Sequence, residues 1–318
     1  MLAYLARRLL WSLAVLAVVG FLTFTLTYVL PADPARALAG IRASPEDVAR
    51  ISRALGLDQP FHVQLGTYAG NVLSGDFGHS YKLDRDVLPL LLERFPATLQ
   101  LALAGVFVEL LIGIPLGVMA ATRRGSRFDS LARLFSIIAV SAPPFLVGYV
   151  LLNLLAFQPQ VRFDLELFAI GGYEPLSLRH LFLPALTLGL SGLAYHFRLM
   201  RASLLEELRR GYVNTARAKG AHERTVIWGH ALRNAIPPVL TQIGLDLGFF
   251  LGGVVVIEAV FSWPGIGQLA VNSIATADIP LILGTVLFGT LTIVAANLVV
   301  DLAYVWVDPR VRMGARGR

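Results

Sequence analysis

Residues 97–121 read ATLQLALAGVFVELLIGIPLGVMAA, an apolar run of 25 residues in which Glu109 is the one ionisable side chain. A helix needs about 20 apolar residues to cross the hydrocarbon core of a bilayer, so this run predicts a transmembrane helix. Backbone groups find no water in lipid, and the sequence shows little period-two alternation, which favours helices over a barrel. Comparable runs lie at Leu9–Leu30, Leu131–Phe157, Leu181–Met200, Val239–Phe261 and Leu281–Val307. The sequence therefore predicts an all-α polytopic membrane protein with about six transmembrane helices, and the lipid bilayer as its surroundings.

The composition agrees with a membrane setting. Hydrophobic residues make up 56% of the 318 residues and charged residues only 15%, which leaves too little polar surface to cover a soluble globule. Cysteine is absent, which excludes disulfides and thiolate metal sites. The net charge is +6, but no basic groove with interleaved aromatic residues accompanies it, so we expect no nucleic-acid partner.

The N-terminal run is similar to a secretory signal, because Arg7 and Arg8 precede it and Ala37-Leu38-Ala39 follows it. The apolar part of a signal peptide spans about 7–15 residues, whereas this run continues for 22. We therefore predict an uncleaved first span within residues 1–30.

Lys and Arg are distributed unevenly between the predicted spans. If both termini are cytoplasmic, the inner segments hold 18 of the 27 Lys and Arg residues, as the positive-inside rule requires. We predict a single transmembrane domain over residues 1–318, with an extracytoplasmic segment at 31–96 and the core at 97–318. Within 31–96, Ser44 before Pro45 and two acidic residues predicts a short capped helix, and a second helix with a glycine-broken turn follows. This segment is interpreted either as a lid on the bundle or as a surface that receives a delivered substrate.

The fifth predicted span has two different faces. Gly244, Gly248 and Gly252 recur every four residues and form a smooth stripe for helix packing. Asp246 lies about 160° away from that stripe, on the opposite face. An ionisable group at membrane depth costs about 2.5–3.5 kcal/mol, so its presence favours a polar cavity or a partner. Asp246 is interpreted equally as a pathway residue or as an interhelical hydrogen-bonding group, whereas Glu109 favours a structural role.

Motifs for catalysis and metal binding are absent from the sequence. There is no H-E-x-x-H, G-x-S-x-G or G-x4-G-K-[ST] pattern. The six histidines do not recur at helical ligand spacing, so we expect no metal site. No catalytic residue is predicted, and the chain is not expected to hydrolyse ATP.

A basic segment lies between the fourth and fifth spans and reads RLMRASLLEELRRGYVNTARAKGAHERTVIWGHALRNAIPP over residues 198–238. So charged a segment must lie in water. Its spacing predicts a short helix ended by Gly211, a second helix capped by Asn214 or Thr215 and ended by Gly220, and a third helix that runs to Pro237. The middle helix is too short to be stable alone, so it must pack within the subunit or in a partner's groove.

This segment resembles the EAA loop of the inner-membrane permease subunits of binding-protein-dependent ABC importers, in particular the B-type permeases of dipeptide, oligopeptide and nickel systems. Gly220 matches the motif glycine. Asn214-Thr215-Ala216 stands where the general motif has Glu-Ala-Ala, and His230-Ala231-Leu232-Arg233 replaces Ile-x-Leu-Pro, as the peptide and nickel branch usually shows. The resemblance continues through GLDQPFHVQLGTYAGNVLSGDFG and VVVIEAVFSWPGIGQLAVNSIATADIP and covers most of the chain.

The resemblance implies a type I importer fold in a bacterial or archaeal inner membrane, with the EAA-type loop at 201–236. It implies that a coupling helix inserts into a cytoplasmic ATP-binding subunit and that pathway lining includes Asp246. The implied partners are a second homologous permease, two ATP-binding subunits that bind the ATP and Mg²⁺, and an external substrate-binding protein; the chain itself is expected to hold no cofactor. The residues implied to carry the coupling are Asn214, Thr215, Ala216, Arg217, Ala218, Lys219, Gly220 and Ala221.

The substrate class stays open at this stage. Peptides are the expectation by family frequency, nickel chelates or oligosaccharides are alternatives for the same machinery, and an intramembrane enzyme or a passive channel is the alternative from another class.

Overall fold

The computed structural model describes residues 2–29, 35–36, 44–54 and 56–307, and these are mostly helical. One two-stranded antiparallel hairpin joins β1 (His79–Ser80) to β2 (Arg85–Asp86). Two segments are π-helical, Asn153–Phe157 inside α6 and Thr225–Ala231 just before α9. The helices are α1 (Leu2–Val29), α2 (Pro45–Ala54), α3 (Phe61–Leu73), α4 (Val87–Thr122), α5 (Arg127–Ser141), α6 (Pro144–Phe163), α7 (Leu178–Glu207), α8 (Gly211–Ala218), α9 (Leu232–Ala235), α10 (Pro237–Gly253), α11 (Val255–Val260), α12 (Ile266–Ala275) and α13 (Ile279–Val307).

Four of the described helices are long and apolar enough to cross a membrane: Ala6–Thr27 of α1, the whole of α4, α6, and Ile279–Val300 of α13. The other two predicted spans coincide with α7 and with α10 followed by α11. Helix α1 exposes Leu10 and Trp11, each 67% accessible. An apolar helix that exposes its large side chains fits a lipid environment.

The predicted third span, Leu131–Phe157, is wrong in its bounds. The helix breaks at Ala142, which has extended backbone angles, and a new helix starts at Pro144 with Pro143 as its N-cap. Proline disfavours the helical conformation of the residue before it, and its fixed φ suits the first turn of a helix. The candidate span therefore runs from Pro144 to Phe163.

The chain forms two compact units, and the first comprises residues 1–98 and 264–295. Its core contains Val87, Leu91, Ile266 and Phe288, from α4, α12 and α13. Asp278 is fully buried and accepts hydrogen bonds from the hydroxyl of Ser80 and the backbone N–H of Lys82, which holds the hairpin in place.

Two predictions for the segment between the first two spans are confirmed. The Ser44 hydroxyl accepts a hydrogen bond from the Asp47 N–H at the start of α2, and α3 is followed by a turn in which Gly75 and Gly78 both have φ of +85°. The Ala37-Leu38-Ala39 sequence lies outside the described residues.

The second unit comprises residues 99–263 and 296–318. In it α5 and α6 pack against α7. Helices α4 and α7 approach closely at glycines: a Cβ on Gly105 would lie 2.5 Å from Leu188, and one on Gly189 would lie 2.5 Å from Val108. Any larger side chain at either glycine would push the two helices apart.

Helix α7 is longer than predicted. The sequence predicts a span ending near Met200 and a separate short helix in the loop, but α7 runs without interruption from Leu178 to Glu207. The charged residues that mark the loop begin inside this helix because Leu204 packs into a buried cluster with Met200 and continues the apolar face.

Candidate functional site

Helix α8 and the turn that follows it carry the residues that the EAA resemblance selects. Asn214, Thr215, Arg217, Ala218, Lys219 and Gly220 are exposed, and Ala216 and Ala221 are half-buried. Val213 is fully buried on the opposite side, in a cluster with Met200, Leu204 and Val226. The helix therefore rests on an apolar base and presents a polar face to its surroundings.

The predicted cap of this helix is wrong. Helix α8 starts at Gly211, after Arg210 in an extended conformation and without a side-chain cap, so Asn214 and Thr215 lie inside the helix. The Thr215 hydroxyl donates to the Gly211 carbonyl at 3.1 Å. The start is fixed instead by tertiary contacts, because Tyr212 donates to Glu207 at 2.7 Å and Val213 is buried next to it.

The end of α8 is as predicted. Gly220 has φ of +80°, and its N–H donates to the Arg217 carbonyl at 2.9 Å. A left-handed residue after a helix is the usual role of glycine at this position. Space is not the reason for glycine here, since a Cβ on Gly220 would meet nothing within 4 Å.

A surface ion pair closes the turn beyond Gly220. Arg217 donates from Nε at 3.1 Å and from a terminal nitrogen at 2.6 Å to the two carboxylate oxygens of Glu223. The Arg217 guanidinium lowers the pKa of the Glu223 carboxyl. The two side chains remain 40% and 53% exposed.

A second arginine–carboxylate pair ties α7 to the start of α5. Arg201 donates at 2.6 and 2.8 Å to the two oxygens of Asp129, whose side chain is only 1% exposed. Asp129 also accepts from the Gly125 N–H at 3.0 Å. These contacts, first of all the Arg201 guanidinium, lower the pKa of Asp129 to about 2.

A buried polar cluster includes one residue of α7, the helix that also carries Arg201. His196 of α7, Glu109 of α4 and Asp246 of α10 each offer a polar atom, and these atoms all lie within 4.8 Å of one another. His196 Nε2 lies 3.3 Å from Asp246 Oδ2, and Nδ1 lies 3.8 Å from Glu109 Oε2. Glu109 and His196 are fully buried, whereas the Asp246 side chain is 22% exposed.

The other face of α10 packs against α13. A Cβ on Gly244 would lie 1.9 Å from Val300, and one on Gly248 would lie 2.8 Å from the Asn297 side-chain oxygen. The surroundings of Gly252 lie outside the described residues. Asp246 and the two described glycines thus contact different neighbouring helices.

Comparison of the sequence with models of known protein families identifies the family of this chain. The sequence model described as "Binding-protein-dependent transport system inner membrane component" matches residues 113–313, and the model for the N-terminal part of such components matches residues 1–102. The chain belongs to this family. It is therefore an inner-membrane permease of an ABC importer.

Relatives of this permease match over almost their whole length. The glutathione transport system permease protein GsiC of Salmonella paratyphi A is 39% identical over 98% of this chain and 99% of its own. The "Probable D,D-dipeptide transport system permease protein DdpB" of Escherichia coli is 39% identical over 97% of each chain. The "Probable peptide ABC transporter permease protein y4tP" of Sinorhizobium fredii is 38% identical over 97% of this chain and 99% of its own.

A solved structure shares the fold of this permease. The MetNI methionine ABC transporter, in an inward-facing conformation, aligns with a TM-score of 0.54 at 18% identity and covers 70% of this chain and 98% of the matched chain. The predicted all-α type I importer fold is confirmed.

Sequence reasoning located the segment around α8 that the EAA resemblance selects and missed the buried cluster. The segment is local, so charge, glycine and spacing mark it. The cluster joins residues that are 87 and 50 positions apart along the chain, and only the packing of α4, α7 and α10 brings them together. The one available signal was that Glu109 and Asp246 are ionisable residues within apolar runs.

Proposed function

We propose that this permease forms half of the translocation pathway of an ATP-driven importer for short peptides delivered by an external binding protein. The observation that carries the proposal is the near full-length match to permeases named for glutathione, D,D-dipeptide and peptide transport. The substrate class rests on those relatives, because selection in such systems is made largely by the binding protein.

The coupling part of the proposal rests on α8. Its exposed face would dock in a cleft of a cytoplasmic ATP-binding subunit, and its buried Val213 would pass the movement to the cluster beneath it. Arg217 and Lys219 would offer charge to the partner, and the small residues Ala216, Ala218, Gly220 and Ala221 would allow close approach. A helix of eight residues that exposes most of its side chains and rests on a rigid apolar base supports this role.

The remaining partners follow from the same proposal. A second permease of similar sequence completes the pathway, two ATP-binding subunits hold the ATP and Mg²⁺, and both termini of this chain are cytoplasmic. The sequence supports the division of labour, since it has no phosphate-binding loop of its own. The permease on this view performs no catalysis.

Asp246 is proposed to border the pathway. Support comes from its partial exposure beside a fully buried His196 and from the packing of Gly244 and Gly248 on the other face of α10. Replacing Asp246 with Asn is expected to change uptake kinetics differently for charged and neutral peptides. Unchanged kinetics for both would remove Asp246 from the pathway.

Reconstitution tests the proposal as a whole. The chain is placed in liposomes with the proposed second permease, ATPase and binding protein, and uptake of labelled dipeptides and glutathione is measured with and without ATP. ATP-dependent peptide uptake that needs every subunit is expected. Uptake by this chain alone would identify a channel, and turnover of the peptide bond would identify an enzyme. Transport of nickel chelates or oligosaccharides in place of peptides would keep the machinery and correct the substrate.

A further inference from the structure

The Glu109–His196–Asp246 cluster contains an unusual number of polar atoms without hydrogen bonds. Glu109 Oε1 and Oε2, His196 Nε2 and Asp246 Oδ2 are all buried and lack a hydrogen-bond partner among the described residues. Two of these atoms, His196 Nε2 and Asp246 Oδ2, lie only 3.3 Å apart. Buried polar groups in folded proteins are nearly always paired, so these neighbouring atoms are available to hold a ligand.

A ligand bound between these side chains would have to accept lone pairs, as a cation does. His196 Nδ1 lies 3.4 Å from the Gly192 carbonyl oxygen, which can only accept, so Nδ1 carries the ring hydrogen. In the neutral imidazole this leaves Nε2 with a lone pair directed at Asp246. Carboxylate oxygens also supply lone pairs. When both carboxylates are ionised and the imidazole is neutral, all four atoms offer lone pairs and none can donate to another.

The surrounding residues have the features of a built site. A Cβ on Gly192 would lie 1.6 Å from Glu109 Oε1, so glycine is required for the carboxylate to reach its place. Gln242 Nε2 donates to Asp246 Oδ1 at 2.9 Å and orients the carboxylate so that Oδ2 faces His196. A backbone carbonyl on the far nitrogen of a histidine and a hydrogen bond on a ligating carboxylate are the usual outer partners of metal ligands.

Charge favours a divalent cation. A bound divalent cation would neutralise the two carboxylates and keep them ionised in a buried place, where unpaired charge is costly. We propose that Glu109, His196 and Asp246 bind one divalent first-row transition-metal ion, of which Zn²⁺ is the probe, as a resident cation of this permease. The inference goes beyond the transport role, since it concerns an ion held by this chain and not its cargo.

The distances suit such an ion after a small adjustment. Zn²⁺ holds nitrogen and oxygen ligands at about 2.0–2.2 Å, which places neighbouring tetrahedral ligands about 3.4 Å apart. The 3.3 Å separation of His196 Nε2 and Asp246 Oδ2 already has this value. All three ligand atoms lie within 4.8 Å of one another, so small side-chain rotations would bring them to this spacing. Asp246, whose side chain is 22% exposed, is the most accessible of the three residues.

Direct metal binding tests the proposal. The full-length chain, purified in lipid nanodiscs with a tag that contains no histidine, is stripped with chelator and titrated with Zn²⁺ without substrate, and its metal content is measured by mass spectrometry. One Zn²⁺ per chain is expected, with a raised thermal unfolding midpoint. Glu109→Gln and His196→Gln should weaken binding by more than about 100-fold, and Gln242→Ala by about 10-fold, the range for outer partners.

A matched control is available on the surface. His79 lies 2.9 and 3.1 Å from Asp86 and Asp84 in the exposed hairpin, so it is a second place where Zn²⁺ could collect. His79→Gln should leave the tight binding unchanged. Binding that disappears with His79→Gln, or persists in both Glu109→Gln and His196→Gln, would overturn the proposal. If those two variants do not fold, the wild-type titration decides, because a stripped chain that takes up no Zn²⁺ and gains no stability has no such site.

Discussion

Two arginine–carboxylate pairs involve the basic segment 198–238, and they differ mainly in their contact with water. Both are bidentate: Arg217–Glu223 at 2.6 and 3.1 Å, and Arg201–Asp129 at 2.6 and 2.8 Å. Glu223 is 53% exposed and Asp129 only 1%. An exposed pair contributes little because water and salt screen it, whereas removing one member of a buried pair leaves an uncompensated charge. The Arg217–Glu223 pair near α8 is therefore easily broken, whereas the Arg201–Asp129 pair beneath it is held firmly.

Breaking the buried pair should have the largest effect. Asp129→Ala leaves the Arg201 guanidinium without its partner, so we expect the free energy of unfolding to fall by about 3–5 kcal/mol. Reversible denaturation in mixed micelles measures it, with Arg217→Ala as the exposed counterpart. Equal losses in the two variants would contradict the distinction between the pairs.

The second-largest effect is expected from acid, which should weaken the buried Arg201–Asp129 pair. The pKa of Asp129 is lowered from 3.8 to about 2, so its stabilising effect is complete above pH 3.8 and is lost as the pH falls towards 2. The difference corresponds to about 2 kcal/mol. The unfolding free energy of the wild type, followed from pH 6 to pH 2.5, should fall more steeply than that of Asp129→Asn. Parallel profiles would show that Asp129 does not titrate as a paired carboxyl.

Gly220 and Gly211 make a matched pair at the two ends of α8. A Cβ would meet nothing within 4 Å at either residue, but only Gly220 has positive φ. Gly220→Ala should lower the free energy of unfolding by about 1–2 kcal/mol through the left-handed backbone, and Gly211→Ala should not lower it.

In the assembled importer, Gly220→Val should also uncouple substrate-stimulated ATP hydrolysis while leaving membrane insertion intact. Normal transport in that variant would count against the coupling role.

The smallest effect is expected for the exposed pair itself. A double-mutant cycle on Arg217→Ala and Glu223→Ala should give a coupling energy of about 0.2–1 kcal/mol that falls further in high salt. A coupling energy as large as that of Arg201 with Asp129 would mean that the surface of α8 is as rigid as its base.

The sequence predicts local features of this protein better than tertiary ones. The Ser44 cap, the Gly220 turn and most of the apolar spans depend on neighbouring residues and were predicted correctly. The start of α8 was not, because Tyr212 and Val213 fix it through residues of other elements. Pro143 and Pro144 predicted a bend in the third span, but the long apolar run hid the fact that one helix ends there and another begins. The cluster around His196 depends wholly on which helices pack together, and no spacing along one helix encodes that.

Helix α7 connects the buried Arg201–Asp129 pair directly with the buried polar cluster at His196. From His196 to Glu207 it has no break, and at 1.5 Å per residue this stretch is about 16 Å long. Arg201 pairs with Asp129 at one point on this helix, and His196 contacts Asp246 at another. An unbroken helix moves as one body, so a tilt or rotation at one end also displaces the other end. If α8 has the coupling role proposed above, a movement of its base would reach His196 and Asp246 through this helix, so that docking and the rearrangement of the buried cluster would occur together.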